Sequence, residues 1–265
     1  MSLKSFVDPA STHWQPGGTY QLCASEAHHV RVMRFEPGES IQVVDGCGRA
    51  AIVTLTRVDP AGVSVLVDEV HQAAPEVRVG LIQALSKNDR DLQAVETCVE
   101  IGAASFIPWQ ADRSIVRWRG ERAQKAHQKW VDTAVRATKQ SRRADQPAVG
   151  PMVTSKQLVD AVAQASERGV LVAVCHEEAT QYLVDVLATR ASSLSHPPST
   201  STPPPEWDVD VMLAVGPEGG ISPAEVEALT HAGAVLVSLG SNILRASTAG
   251  AVGAVLTRHI LGDKT

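Results

Sequence analysis

Over residues 1–73, apolar and polar positions alternate in short runs. The runs are Ser40–Val44, Ala50–Val58 and Val63–Val70, preceded by Pro37-Gly38, Gly46-Cys47-Gly48 and Asp59-Pro60-Ala61-Gly62 respectively. Strands at this spacing, punctuated by Gly and Pro, predict a small β-barrel. A short helix, capped by Ser25 and running through His28, His29 and Val32, is expected to interrupt it. Past residue 76 the pattern changes to apolar runs alternating with helical periodicity. Val77–Leu85, Ser105–Pro108, Val170–Cys175, Val209–Val215 and Ala234–Leu239 read as strands. Asp91–Ile101, the stretch from Glu121 onward, Ser155–Arg168, Ser222–Ala232 and Ala246–Ile260 read as helices. Such alternation predicts an α/β domain with a mostly parallel sheet. Two domains are therefore expected, at 1–73 and 76–265. Within the second, Ala191–Pro205 holds five of the chain's 15 prolines and is rich in Ser and Thr, so it reads as a flexible surface insertion.

Charge changes the picture only when it is counted by region. The chain of 265 residues carries 24 Lys and Arg against 29 Asp and Glu, a formal net charge of −5 that argues against a nucleic-acid partner. Residues 113–143, however, hold ten basic side chains and two acidic ones, Glu121 and Asp132. From Glu121 this segment carries an apolar stripe, Ala126, Trp130, Ala134 and Ala137, and a second face of cations, Arg122, Lys125, Lys129, Arg136, Lys139 and Arg143. A solvated face usually mixes signs, so this ridge points to a polyanion, with RNA or DNA the natural ligand. Aromatic residues make up only 4% of the chain, leaving Trp109, Trp118 and Trp130 as the candidates for stacking on bases.

Composition narrows the remaining classes. Cys23, Cys47, Cys98 and Cys175 are too widely spaced for a zinc site or a disulfide scaffold and read as reduced thiols. The adjacent pair His28-His29 cannot face one ion from a helix, so no metal is expected. No apolar run reaches the ~18 residues of a membrane span, and the first residues lack the apolar segment of a leader, which predicts a soluble, cytoplasmic protein.

The strongest local signal runs from Val211 to Leu229, VMLAVGPEGGISPAEVEAL. An apolar strand enters a loop with Gly216, Gly219 and Gly220. A helix then begins with Ser222 as cap, Pro223 in its first turn and Glu225 completing a capping box. The next unit repeats the plan, with a strand to Leu239, the loop Gly240-Ser241-Asn242-Ile243-Leu244-Arg245, and a helix rich in small residues including Ala249, Gly250 and Gly253. Two ligand-type loops are thus expected at neighbouring strand ends, where open α/β sheets bind ligands. Neither GxGxxG nor GxxxxGK[ST] is present, which weakens dinucleotide and P-loop readings.

GPEGGIS at 216–222 together with LGSNILRASTA at 239–249 resembles the paired signature of the 16S ribosomal RNA uridine N3-methyltransferases, a branch of the SPOUT (trefoil-knotted) methyltransferases. Further matches are Ser86-Lys87 with Arg90, Glu100-Ile101-Gly102, Ile107-Pro108, Arg113-Ser114, Trp130, Gln140-Ser141 with Arg143, His28-His29-Val30 through Arg34, and Pro37-Gly38-Glu39. The resemblance spans nearly the whole chain. It implies a PUA-like barrel for RNA, then a knotted domain that binds S-adenosyl-L-methionine and forms a homodimer, and methyl transfer to N3 of uridine 1498 in 16S rRNA of the 30S subunit. Carried over by position, the cofactor pocket comprises Leu213, Gly216, Glu218, Gly219, Gly220, Leu239, Gly240, Ile243, Leu244, Arg245, Thr248 and Ala249, with His176 and Glu177 at the third knot loop. RNA contacts fall to Arg31, Arg34, Lys87, Arg90, Arg113, Arg122, Lys125, Lys129, Arg136, Lys139, Arg142 and Arg143.

The sequence departs from the commoner family pattern where Asn242 and Ser247 replace an Arg and a Glu, and where Lys139 and Arg142 replace a Glu and a Gly. Attack by the uracil N3 requires loss of its proton, and a guanidinium can stabilise the charge that spreads onto the flanking carbonyls. Arg245 or Arg143 is expected in that role, with Glu218 or solvent as the base. The competing expectations are a SPOUT enzyme acting on transfer RNA and a non-catalytic ribosome-assembly factor that only binds RNA.

Overall fold

The computed structural model describes residues 3–46, 48–72, 77–191 and 205–262. Cys47 and nearly all of the Ala191–Pro205 insertion lie outside the described residues. The chain divides into two compact units, one formed by residues 1–75 with 138–146 and the other by 76–137 with 147–265.

In the first unit, β1 (Ser5–Val7), a 3-10 turn at Pro9–His13, β2 (Thr19–Gln21) and α1 (Ala24–Val32) precede β3 (Ser40–Val44), β4 (Arg49–Asp59) and β5 (Gly62–Gln72). The sheet runs in the order β1-β3-β4-β5-β2, with β1 parallel to β3 and the other pairs antiparallel. Among the described residues no ladder joins β1 to β2, so the pairing stays open at both ends. The alternation read in β3–β5 buries Ile41, Val43, Val53, Leu55, Val63, Val65 and Val67 against Phe6, Trp14 and Val30. The β4–β5 turn is closed by Asp59, whose carboxylate accepts the amides of Ala61 and Gly62 at 2.8 and 3.1 Å. The helix cap is corrected: Cys23 occupies it without a side-chain hydrogen bond, and Ser25 lies inside α1 with its hydroxyl 3.3 Å from the Cys23 sulfur.

The second unit continues with β6 (Val79–Ala84), α2 (Arg90–Ile101), β7 (Ser105–Gln110), α3 (Glu121–Ser141), β8 (Ala148–Val149), β9 (Val153–Thr154), α4 (Ser155–Glu167), β10 (Leu171–Cys175), α5 (Leu183–Ala191), a 3-10 turn at Pro205–Trp207, β11 (Val211–Val215), α6 (Pro223–His231), β12 (Val235–Val237) and α7 (Ala246–Leu261). Its sheet has seven strands in the order β12-β10-β11-β6-β7-β8, with β9 also on β7. Every ladder is parallel. Both faces are covered. On one, Leu81, Leu213 and Val237 pack with Val95 and Cys98 of α2, Trp130 of α3, Leu187 of α5 and Ala254 of α7. On the other, Ile82, Val172 and Met212 pack with Leu158 and Val162 of α4 and Leu229 of α6. Gly250 and Gly253 of α7 lie directly on the sheet, where an added Cβ would come within 2.9 Å of Leu81 and 2.8 Å of Leu213. The small-residue stripe is therefore core packing within the chain.

The last turn of α3 belongs to the first unit. There the amide of Arg143 donates to the Thr138 carbonyl at 3.2 Å, and Arg142 sits in the left-handed region at φ 58°. This is a Schellman ending with arginine where glycine is favoured. A left-handed residue with a Cβ costs about 1–2 kcal/mol, partly offset in glycine by its larger chain entropy. Arg142→Gly is expected to stabilise the protein by about 0.5–1 kcal/mol, read as a higher urea midpoint without RNA.

Candidate cofactor and RNA sites

Because the sheet is parallel, the loops that follow β12, β10, β11, β6 and β7 all leave from one edge. The two glycine-bearing loops follow β11 and β12, and β10 runs between those strands. They are therefore not at neighbouring strand ends as expected; the chain crosses over and places the His176 loop between them. His176 is zipped to β12, its amide donating to the Val237 carbonyl at 3.0 Å, while its Nδ1 accepts the Glu178 amide at 3.2 Å.

The loop after β11 is fastened on two sides. Glu218 Oε1 accepts the Lys87 amide at 3.2 Å and the Arg90 guanidinium at 3.3 Å, both from the segment after β6. Arg113, from the segment after β7, donates to the Gly219 carbonyl at 3.2 Å. The capping box is present in full, with Ser222 accepting the Glu225 amide and Glu225 accepting the Ser222 amide. Glu225 is buried and also takes the Asp112 amide at 2.8 Å and the Ser155 hydroxyl. Gly216 is required by packing, since a Cβ there would meet Ile221 at 2.6 Å, and Gly220 by its φ of +74°.

The loop after β12 is open. Gly240 adopts φ +150° with nothing within 4 Å of a built Cβ, and Ile243 is 80% exposed. Leu239 and Leu244 rest against the core. Arg245 is the exposed N-cap residue of α7, and its carbonyl accepts the amides of Thr248 and Ala249 at 2.8 and 2.9 Å. Leu213 is a correction: it is 0% exposed inside β11 and packs under α7, with no surface to offer a ligand.

An RNA methyltransferase domain model matches residues 73–257, and an RNA methyltransferase PUA domain model matches residues 22–68. The first match alone spans more than half of the chain. The chain belongs to the RNA methyltransferase family. Its relatives include ribosomal RNA small subunit methyltransferase E of Mycobacterium tuberculosis, 40% identical over 227 residues that cover 85% of this chain and 80% of the relative. The Bacillus subtilis protein of the same name is 30% identical over 247 residues, covering 92% and 91%. A crystal structure of the Neisseria gonorrhoeae protein of that name, bound to S-adenosyl methionine, superposes with a TM-score of 0.78 at 25% identity, each chain covered completely.

Within this RNA methyltransferase the expected RNA cations fall into two groups. Arg122, Lys125, Lys129 and Arg136 are exposed along one face of α3, opposite buried Trp130, Ala134 and Ala137. Lys87 and, in the first unit, Arg34 and Arg142 are exposed as well. The others are engaged. Arg31 donates to the Asp59 carbonyl at 3.1 Å, and Lys139 pairs at 2.6 Å with Glu26, a carboxylate only 5% exposed. Arg143 pairs with Asp145 and is 11% exposed, while Arg90 and Arg113 hold the β11 loop. The tryptophan expectation is also corrected: Trp109, Trp118 and Trp130 are 0, 8 and 1% exposed, so none presents a face to a base.

Desolvation pushes the thiols of Cys98 and Cys175 up to about 12, which keeps both protonated at neutral pH. Among the described residues no His, Cys, Asp and Glu group could hold a metal ion, and no helix is long and apolar enough to cross a membrane. Sequence reasoning missed Asp112 and Ser155, which reach Glu225 from 113 and 70 positions away, a distance at which no local pattern signals contact.

Proposed function

We propose that this chain methylates the N3 atom of uridine 1498 in 16S rRNA, using S-adenosyl-L-methionine as donor. The observation that carries the reading is the convergence of the His176, Gly216–Gly220 and Gly240–Arg245 loops on one sheet edge, in a chain 40% identical to a named small-subunit rRNA methyltransferase. The residues suit the cofactor. Gly240 leaves its Cβ direction open, and α7 begins without a side-chain cap, so its first amides are available to a polar group. Gly216, Gly219, Gly220, Leu239, Gly240, Ile243, Leu244, Thr248, Ala249 and His176 form the proposed pocket. When bound, S-adenosyl-L-methionine supplies an electrophilic methyl group on a sulfonium.

The chain's own part is to position the uracil and stabilise its anion. Arg245, exposed at the mouth of α7, is assigned to the carbonyl oxygens that gain charge as N3 loses its proton. Arg143 is already committed to Asp145, so the role falls to Arg245. Solvent takes the proton. A homodimer, the trefoil knot and a cytoplasmic 30S substrate belong to the same reading; exposed Tyr182, Val184 and Val255 on or beside α5 and α7 supply apolar surface for a partner copy.

Calorimetry with S-adenosyl-L-methionine and methylation of 30S particles against transfer RNA test the reading. Cofactor binding with methylation of 30S alone is expected. No binding would support a non-catalytic RNA-binding factor, and methylated transfer RNA a different target. The α3 ridge makes a separate prediction. Each of Arg122, Lys125, Lys129 and Arg136 changed to Gln is expected to flatten the slope of log K against log salt for rRNA binding by about 0.7–0.9.

A further inference from the structure

We propose that Glu218 is a positioning residue, a latch that fixes the Lys87–Arg90 segment against the cofactor loop. The inference rests on the methyl-transfer reading above but assigns Glu218 neither proton transfer nor cofactor contact. Asn88 and Asp89 are consecutive non-glycine residues in the left-handed region, at φ 56° and 54°. Asn and Asp enter this region more readily than other side chains, normally as single residues, so two in succession need support from their surroundings. Here the surroundings converge on one atom. Glu218 Oε1 accepts both the Lys87 amide at 3.2 Å, just before the strained pair, and the Arg90 guanidinium at 3.3 Å, just after it. The bonds span 131 and 128 positions, so they tie together two strand ends, β6 and β11, that are adjacent in the sheet. Inside the segment the Arg90 amide donates to the Lys87 carbonyl and the Gln93 amide to Asp89, so the turn passes directly into α2. Asp91 anchors the same helix start, largely buried and accepting the Leu92 amide at 2.9 Å.

Glu218 Oε1 is thus occupied by two donors, one of them charged, which holds the carboxylate in place. What the latch sets is the course of Lys87, whose side chain is exposed at the carboxyl edge beside the glycine loop. A cation held there meets the acceptor RNA, through a phosphate or a uracil carbonyl, while the cofactor is held by the loops after β10, β11 and β12.

The test uses the full chain with Arg90→Ala, Glu218→Ala, Glu218→Gln and the double alanine variant. Amide exchange over residues 86–90 is measured without cofactor or RNA, followed by single-turnover methylation of 30S particles across pH. Arg90→Ala and Glu218→Ala are each expected to speed exchange about tenfold and to slow turnover by a similar factor, with cofactor affinity within about threefold of wild type. The double variant is expected to be no slower than Glu218→Ala, because the two groups act as one unit. Glu218→Gln keeps an acceptor for the Lys87 amide and is expected to fall between wild type and Glu218→Ala, with the wild-type pH profile. Unchanged exchange in Glu218→Ala overturns the latch. So does a Glu218→Gln variant as slow as Glu218→Ala that has lost the acidic limb of its profile, which marks a base, or a large loss of cofactor affinity, which marks a ligand. The exchange measurement needs no methyl transfer, so altered exchange with an inactive wild-type protein refutes only the methyl-transfer reading.

Discussion

Arg245→Ala is expected to lower the single-turnover rate of 30S methylation by about 10²–10³-fold at saturating cofactor. The magnitude follows from where charge develops. Uracil N3 must surrender a proton before it can attack, and the resulting anion is shared with two carbonyl oxygens. A guanidinium at one of these oxygens places positive charge and N–H donors where the charge develops, leaving N3 open to the methyl group. Arg245 suits the role because it is the N-cap residue of α7, so its backbone is set by a 16-residue helix packed on the sheet, while its side chain remains exposed. Lysine at this position keeps the charge but not the fork, and partial recovery in Arg245→Lys is expected. A wild-type rate in Arg245→Ala would remove the residue from the mechanism.

Trp130→Ala is expected to cost about 3–5 kcal/mol of stability, the largest effect of any single substitution considered, read from the urea midpoint. Trp130 is 1% exposed and meets Trp118 edge to face, with centroids 5.8 Å apart and planes at 89°. It belongs to the core that joins α2, α5 and α7 to the sheet. Truncation removes that contact and leaves a cavity behind it, against a total stability of about 5–15 kcal/mol for an ordinary domain. Because the ridge cations lie on the other side of α3, Trp130→Phe, which refills most of the space, is expected to restore RNA binding with the fold. A cost below about 1 kcal/mol would mean that α3 is not packed as described.

Much of this was legible in the chain, and what was legible was local. The stripe Ala126–Trp130–Ala134–Ala137 marked the inner face of α3, and Ser222-x-x-Glu225 marked the start of α6, because both signals lie within one or a few helical turns. Some short elements escape. β1, β2, β8 and β9 have two or three residues each, too few to show a period, while the run Ala234–Leu239 marks β12 at twice its length. α5 follows the His176 loop without a readable cap.

The site was harder, because spacing along the chain carries no information about crossovers. The GPEGG and LGSNILR loops were recognised as ligand-type, but the insertion of β10 between their strands is a property of the sheet order alone. Residue type alone does not reveal partners. Charge marks arginines and lysines for RNA, and Arg90, Arg113, Lys139 and Arg143 also hold partners inside the fold. Tryptophans were considered for stacking, yet a scarcity of large aromatic side chains in the sequence made each of them valuable to the core. The signal that separates a binding arginine from a structural one is the acid or carbonyl that the tertiary fold brings beside it.

In the proposed reading the molecule modifies one uridine of 16S rRNA. Its most direct test is to map N3-methyluridine in 16S rRNA from cells with and without this protein, and from cells carrying only Arg245→Ala. The modification at position 1498 is expected in the first, its loss in the second, and strong depletion in the third. Full modification at that position in cells lacking the protein would contradict it.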